Sequence, residues 1–169
     1  MIILGIDPGT ASTGYGLIKM RKRLKAKDRF KCLEYGLIKT SPSTAAPDRL
    51  KIINNELAKI IQKHQPEIVA VENLYFFKNL KTAIPVSQAK GVILLTAAKK
   101  KVPVEEFSPL QVKAIITKNG WASKSDVQKK IKKLLRLKEI PKPDDAADAL
   151  GIAICGALRC SKPKKDKKA

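Results

Sequence analysis

The sequence predicts an α/β domain built on one mixed sheet of five strands, three antiparallel and then two parallel, flanked by helices. Three observations carry that expectation. Apolar or glycine residues run unbroken from Ile2 to Ile6 and stop at Asp7-Pro8-Gly9, as in a central strand covered on both faces. Two more strand-like runs follow through short connections, which makes an antiparallel meander. The next, Ile68–Glu72, is reached only across a helical segment and should pair parallel with a neighbour.

The opening strand carries Asp7 to its C-terminal edge, where open α/β sheets place their chemistry. Asp7 there is equally readable as the residue that starts the Pro8-Gly9 turn by bonding backbone N–H groups. Residues 14–18 (Gly-Tyr-Gly-Leu-Ile) form the second strand and residues 32–40 the third. Between them, 19–31 is dominated by Lys and Arg and reads as a protruding hairpin tip. Such a run is a solvated loop or a contact for something negative. Pro42 and Pro47 mark a loop. Residues 48–64 then set Leu50, Ile53, Leu57, Ile60 and Ile61 at helical spacing, with Pro66 as the stop. His64, the only histidine, reads as a surface residue at that helix's end.

Ile68–Glu72 also ends in a carboxylate. Tyr75, Phe76 and Phe77 follow, then a helix over 83–100 with Pro85 in its first turn. Residues 102–107 are the fifth strand and Pro109–Thr117 a short helix. Ser125-Asp126-Val127-Gln128 resembles a capping box opening the next helix. That helix gathers Val127, Ile131, Leu134 and Leu135 on one side, with Lys129, Lys132, Lys133 and Arg136 around the rest. The basic residues are a solvated face or, given the net charge, a phosphate-facing one. Pro141-Lys142-Pro143 precedes the last helix, 144–154. Residues 1–159 are expected to form one domain, followed by a basic, disordered tail over 160–169.

Composition narrows the partner. Against 15 Asp and Glu stand 35 Lys and Arg, a formal net charge of +20 over 169 residues. A globular chain so cationic calls for a polyanion, nucleic acid before membrane. Lysine predominates, which suits phosphate contact more than planar reading of base edges. Cys32, Cys155 and Cys160 lack metal-site spacing and read as reduced thiols of a cytoplasmic protein. No apolar run approaches the length of a membrane span, and the opening strand reads as core, not as a signal peptide.

Asp145 and Asp148 share one face of the last helix, a turn apart. Asp144 and Asp145 have an ordinary explanation as first-turn anions. Asp148 lies among Ala, Leu and Gly and needs a partner. If the first and fourth strands are neighbours, Asp7 and Glu72 meet at one sheet edge near this helix. Four carboxylates together repel unless cations lie between them. Oxygen ligands without Cys or His suit Mg²⁺ or Mn²⁺. Two such ions roughly 4 Å apart serve phosphodiester hydrolysis, so the pattern points to a nuclease.

Several short segments, in this order and spacing, resemble the RuvC-type Holliday junction resolvases of the RNase H-like superfamily. They are Gly5-Ile6-Asp7-Pro8-Gly9 with Gly14-Tyr15-Gly16, Val71-Glu72 with Lys78-Asn79, Gln88-Ala89-Lys90-Gly91, and Asp145-Ala146-Ala147-Asp148-Ala149-Leu150. The resemblance spans about Ile2 to Arg159. It implies an RNase H-like fold, with Asp7, Glu72, Asp145 and Asp148 as ligands of two Mg²⁺ ions. It implies also a homodimer that nicks two opposed strands of a four-way DNA junction, and a branch-migration helicase complex as partner. Tyr75 falls where the family carries a base-stacking aromatic, and Phe76 and Lys78 fall in the same DNA-binding segment. Lys113 and Lys124 match basic positions near the scissile phosphate. The basic 19–31 segment and the lysine tail depart from the family pattern and leave the junction-arm contacts open. Val86, Ile93, Leu94 and Ala97 of the 83–100 helix are either dimer patch or core.

Three rival readings remain at this stage. Gly5 to Thr10 also resembles the phosphate-binding hairpin of actin-like and sugar-kinase ATPases, which close two such domains on a nucleotide where this chain has one. Another RNase H-like nuclease, acting on RNA or an RNA–DNA hybrid, would carry the same carboxylates. A non-catalytic nucleic-acid-binding module gives no reason to aim four acids at phosphate.

Overall fold

The computed structural model describes residues 1–21, 24, 28–73 and 80–161, the side chains of 80–82 excepted. Its elements run β1 (Ile2–Asp7), β2 (Ser12–Met20), β3 (Phe30–Lys39), α1 (Ala46–His64), β4 (Ile68–Glu72), α2 (Leu80–Lys99), β5 (Val104–Phe107), α3 (Pro109–Thr117), α4 (Lys124–Leu135) and α5 (Asp144–Cys160). The sheet order is β3-β2-β1-β4-β5. As expected, β1–β2 and β2–β3 are antiparallel while β1–β4 and β4–β5 are parallel.

Strand alternation decides what each helix layer covers. Leu4 and Ile6 of β1, Leu17 of β2 and Val69 and Val71 of β4 pack against Ile53, Leu57 and Ile61 of α1 and Ala89, Ile93 and Ala97 of α2. Ile3, Ile18 and Ala70 face the other way, onto α5, with α3 and α4 completing that layer. By the same alternation Asp7 and Glu72 belong to the α5 face.

That face is floored with glycine. A Cβ built on Gly5 would lie 2.0 Å from the Ala149 carbonyl oxygen, on Gly14 2.1 Å from that of Asp145, and on Gly16 2.8 Å from the Leu150 nitrogen. Gly5 and Gly16 are register partners, and Gly14 is the partner of Asp7. The α5 backbone therefore lies directly on the β1–β2 ladder, and only residues without a side chain permit that approach.

Several boundaries move. The fifth strand begins at Val104, not 102, because the Val102 N–H closes α2 onto the Ala97 carbonyl at 3.0 Å and Pro103 has no N–H to offer. The α4 cap is Ser123, not Ser125: its hydroxyl accepts from Asp126 N at 3.1 Å and donates to Asp126 Oδ2 at 2.6 Å. Helix α5 continues six residues past 154, with Cys155, Gly156 and Ala157 buried and Arg159 stacked 5.2 Å over Phe107. His64 is no free surface residue, since its Nε2 lies 3.0 Å from Glu34 Oε2 beside Lys63. The supposed dimer patch divides: Ile93 and Ala97 are core, Leu94 packs against it, and Ile84 and Leu95 face solvent instead. The 19–31 tip follows a β2–β3 hairpin closed by Arg21 N on Arg29 O at 2.8 Å, but much of the tip lies outside the described residues. So do Tyr75, Phe76, Phe77, Lys78 and nearly all of the tail.

Candidate active site

Ile6 of β1 pairs with Val71 of β4, so Asp7 and Glu72, one residue further on, leave the same edge of the sheet side by side. Helix α5 brings the other two acids. Asp145 sits where the helix rests on Gly14, next to Asp7 in the ladder, and accepts a 2.8 Å hydrogen bond from Ser12 Oγ at its Oδ2. Asp148 follows one turn later, and α4 supplies its counter-charge: Lys124 Nζ stands 3.2 Å from Asp148 Oδ2 and 3.1 Å from Asp144 Oδ2.

Burial raises the Asp7 carboxyl to about 8, and the charges of Glu72, Asp148 and Asp145 push in the same direction. Asp7 thus holds its proton more firmly than an ordinary carboxyl and shares a hydrogen bond with Glu72. Glu72 and Asp148 are also raised, each chiefly by burial, with Lys124 working against the shift. Lys124 loses to burial but gains more from Asp144 and Asp148, so its ammonium is held more firmly. Asp144, exposed, is lowered by its bonds to Lys124 and Gln128 and stays outside the cluster as a helix-end anion.

Glu72, Lys113, Lys124 and Asp148 line one cleft of about 230 Å³, walled by Pro109, Val112, Val127 and Ile131. The four acids predicted from sequence are therefore brought together electrostatically, with Lys113 and Lys124 beside them. Among the described residues, no three Asp, Glu, His or Cys side chains stand close enough to ligate a common ion. Their oxygens are turned to Ser12, Lys124 and one another. The donor set nevertheless fits a hard divalent cation: it is all oxygen, and the mutual repulsion of the four acids, which adds to burial in raising Asp7, is what a cation would relieve.

Two supporting contacts were not read from the sequence pattern. One is Ser12 on Asp145. The other is Lys90, whose ammonium bonds Asn73 Oδ1 at 2.8 Å and the Glu106 carboxylate while Asn73 N donates to Phe107 O at 2.7 Å. The residue after Glu72 is thereby anchored to α2 and β5. The Lys90 motif was legible, its role was not.

A family model described as crossover junction endodeoxyribonuclease RuvC matches residues 3–156. Among curated proteins, the RuvC of Caldicellulosiruptor saccharolyticus is 49% identical over 161 residues, 95% of each chain. That of Halothermothrix orenii is 49% identical over 155 residues, covering 92% of this chain and 91% of the relative. The solved structure of Thermus thermophilus RuvC matches with a TM-score of 0.88 at 34% identity over 95% of each chain. A second structure, of that protein in complex with a Holliday junction substrate, matches with a TM-score of 0.84 at 32% identity, also over 95% of each chain. The five-stranded sheet and its helices are thus the RuvC form of the RNase H-like fold.

Proposed function

The chain belongs to the RuvC family of crossover junction endodeoxyribonucleases and is a Holliday junction resolvase, and from that premise we propose that Asp7, Glu72, Asp145 and Asp148 are its catalytic metal ligands. The observation that carries the assignment is the convergence of the four acids: Asp7 and Glu72 leave the same sheet edge side by side, and α5, seated on Gly14, brings Asp145 and Asp148 to it. The group that fits is a pair of Mg²⁺ ions, with Mn²⁺ as the experimental substitute. When bound, such ions activate a water and stabilise the leaving oxygen in phosphodiester hydrolysis.

The remaining work belongs to the chain. Asp7, which shares a hydrogen bond with Glu72, would release its proton to solvent on holding a cation. Glu72 and Asp148 hold their charge against burial with help from Lys124. Lys113 and Lys124, on the cleft wall, offset phosphate charge where the scissile strand must approach four acids. Ser12 fixes the rotamer of Asp145, and Lys90 fixes Asn73 next to Glu72. Tyr75, Phe76 and Lys78 are proposed as DNA contacts, Tyr75 by stacking on a base near the branch point. Residues 1–159 act as the nuclease domain and 160–169 as a basic tail.

Resolution needs two opposed cuts, and the domain offers one carboxylate cluster, so the working form is a C₂ homodimer. The face of α2 left open is Ile84, Gln88, Gly91, Leu95 and Ala98. Ile84 is 70% and Leu95 52% exposed, and nothing lies within 4 Å of a Cβ built on Gly91. A second copy packing there would bury this strip. The branch-migration helicase complex is the proposed cellular partner and the cytoplasm the proposed location. Among the described residues no helix is long and apolar enough to cross a membrane.

Cleavage of a four-way junction, a linear duplex and an RNA–DNA hybrid of matched sequence, each with and without Mg²⁺, tests the reading. Paired nicks in the junction alone, dependent on the metal, are expected. Comparable cutting of duplex or hybrid, or metal-independent cutting, would overturn it.

A further inference from the structure

Trp121 is 89% exposed, more than any other large apolar side chain among the described residues, yet its backbone is tightly held. Its N–H donates to Asn119 Oδ1 at 2.9 Å, and Ala122 N donates to Asn119 O at 3.3 Å. Asn119 in turn donates its N–H to Thr117 Oγ1 at 3.1 Å. On one side a Cβ built on Gly120 would lie 3.2 Å from Leu110 Cδ1, and on the other Ala122 is buried at 7% exposure, immediately before the Ser123 cap of α4. The loop thus presents an indole to solvent on a fixed base. An aromatic ring held out in this way loses little conformational freedom when something covers it.

The position limits what that something is. Lys113 and Lys124, which bracket the loop, both line the carboxylate cleft, and between Phe107 and Ser125 the chain has three lysines and no acid. A cationic lip beside a site that cuts DNA suits a polyanion and disfavours a basic or apolar protein surface. An indole adds what lysine lacks, an apolar face matched to a base.

We propose that Trp121 is a DNA contact of this resolvase, stacking on a base exposed at the branch point of the junction and thereby seating the scissile strand over Lys113 and Lys124. A four-way junction offers unstacked base faces at its centre, and a linear duplex does not, so the contact would favour the branched substrate.

Trp121 is the chain's single tryptophan, so its fluorescence reports the contact directly. In EDTA, with the indole excited selectively over tyrosine, saturating four-way junction should quench the emission and shield it from acrylamide. A linear duplex bound to saturation should do so much less. Trp121→Ala should weaken junction binding or slow cleavage about tenfold, and Trp121→Phe should recover most of that loss. Unchanged emission and acrylamide access on the junction would overturn the proposal. So would an equal response to duplex, or a Trp121→Ala enzyme within twofold of wild type in binding and cleavage. Shielding that grows with protein concentration in the absence of DNA would instead make the indole a protein contact, and also overturn it. The metal-dependent cleavage assay remains a separate measurement, so either reading can fail alone.

Discussion

Lys124 reaches from the first turn of α4 to place its ammonium 3.2 Å from the Asp148 carboxylate on α5. Lys124 is 53% exposed and Asp148 31%, so the pair is screened and contributes little to stability, about 1 kcal/mol at most. Its value lies in holding charge beside the reacting phosphate. Lys124→Met is expected to leave the melting temperature nearly unchanged while slowing junction cleavage on the order of 100-fold. Lys124→Arg should restore part of the rate. Single-turnover kinetics with melting curves provide the check, and a Lys124→Met enzyme at wild-type speed would remove Lys124 from the mechanism.

Asp7 makes the pH dependence specific. Its folded value, about 8, lies above the ordinary 3.8, so the folded state retains a proton that the unfolded chain has released. The stability this contributes is complete below about 4 and is lost as pH rises through about 8. Burial raises Glu72 and Asp148 in the same sense. Thermal melts in EDTA should therefore show a falling melting temperature toward alkaline pH. Added Mg²⁺ should raise it more at the alkaline end, where the ligands are ionised.

Asp7→Asn keeps the shape of the side chain and removes both the titration and the ligand charge. Cleavage should be abolished, junction binding kept or slightly tightened, and the alkaline loss of stability reduced. Gel-shift and cleavage assays on one preparation decide. Near wild-type cleavage by Asp7→Asn would refute the site assignment.

Gly14→Ala would drive a methyl into the Asp145 carbonyl, 2.1 Å from the new Cβ. Overpacking of this kind costs about 1–3 kcal/mol. Because the displaced segment carries Asp145 and Asp148, the loss of activity should exceed what the loss of stability explains. Cleavage measured well below the variant's melting temperature tests this, and full activity there would mean that α5 can shift without moving the acids.

Leu95→Glu places a charge on the open face of α2 at a position 52% exposed in the single chain. The fold should be kept, with a stability change within about 0.5 kcal/mol. Sedimentation should find a monomer that nicks strands singly, without paired resolution. Persistence of the dimer would mean that α2 is not the interface.

The α5 face of the site was more legible than its details. Alternation along Ile2–Asp7 and Ile68–Glu72 puts both terminal acids on the side opposite Leu4, Ile6, Val69 and Val71, and Asp145 and Asp148 declare one helix face by their spacing. Glycine at 5, 14 and 16 could have been read as a bed for a closely packed helix. Its direction, onto Asp145, Ala149 and Leu150, could not. Helix caps misled at Ser125 because two serines flank Lys124 and only the fold selects one.

Local physics therefore determined the elements, the meander, the Asp7 and Glu72 strand ends and the polyanionic partner, because periodicity, breakers and net charge act over a few residues or over the chain as a whole. Only tertiary structure decided that Lys124 meets Asp148, that Ser12 holds Asp145, that Lys90 anchors Asn73 and that Leu95, not Leu94, faces solvent. Those contacts join residues far apart along the chain and depend on the rotation and depth at which each helix settles on the sheet. That depth is set by the atoms a glycine lacks.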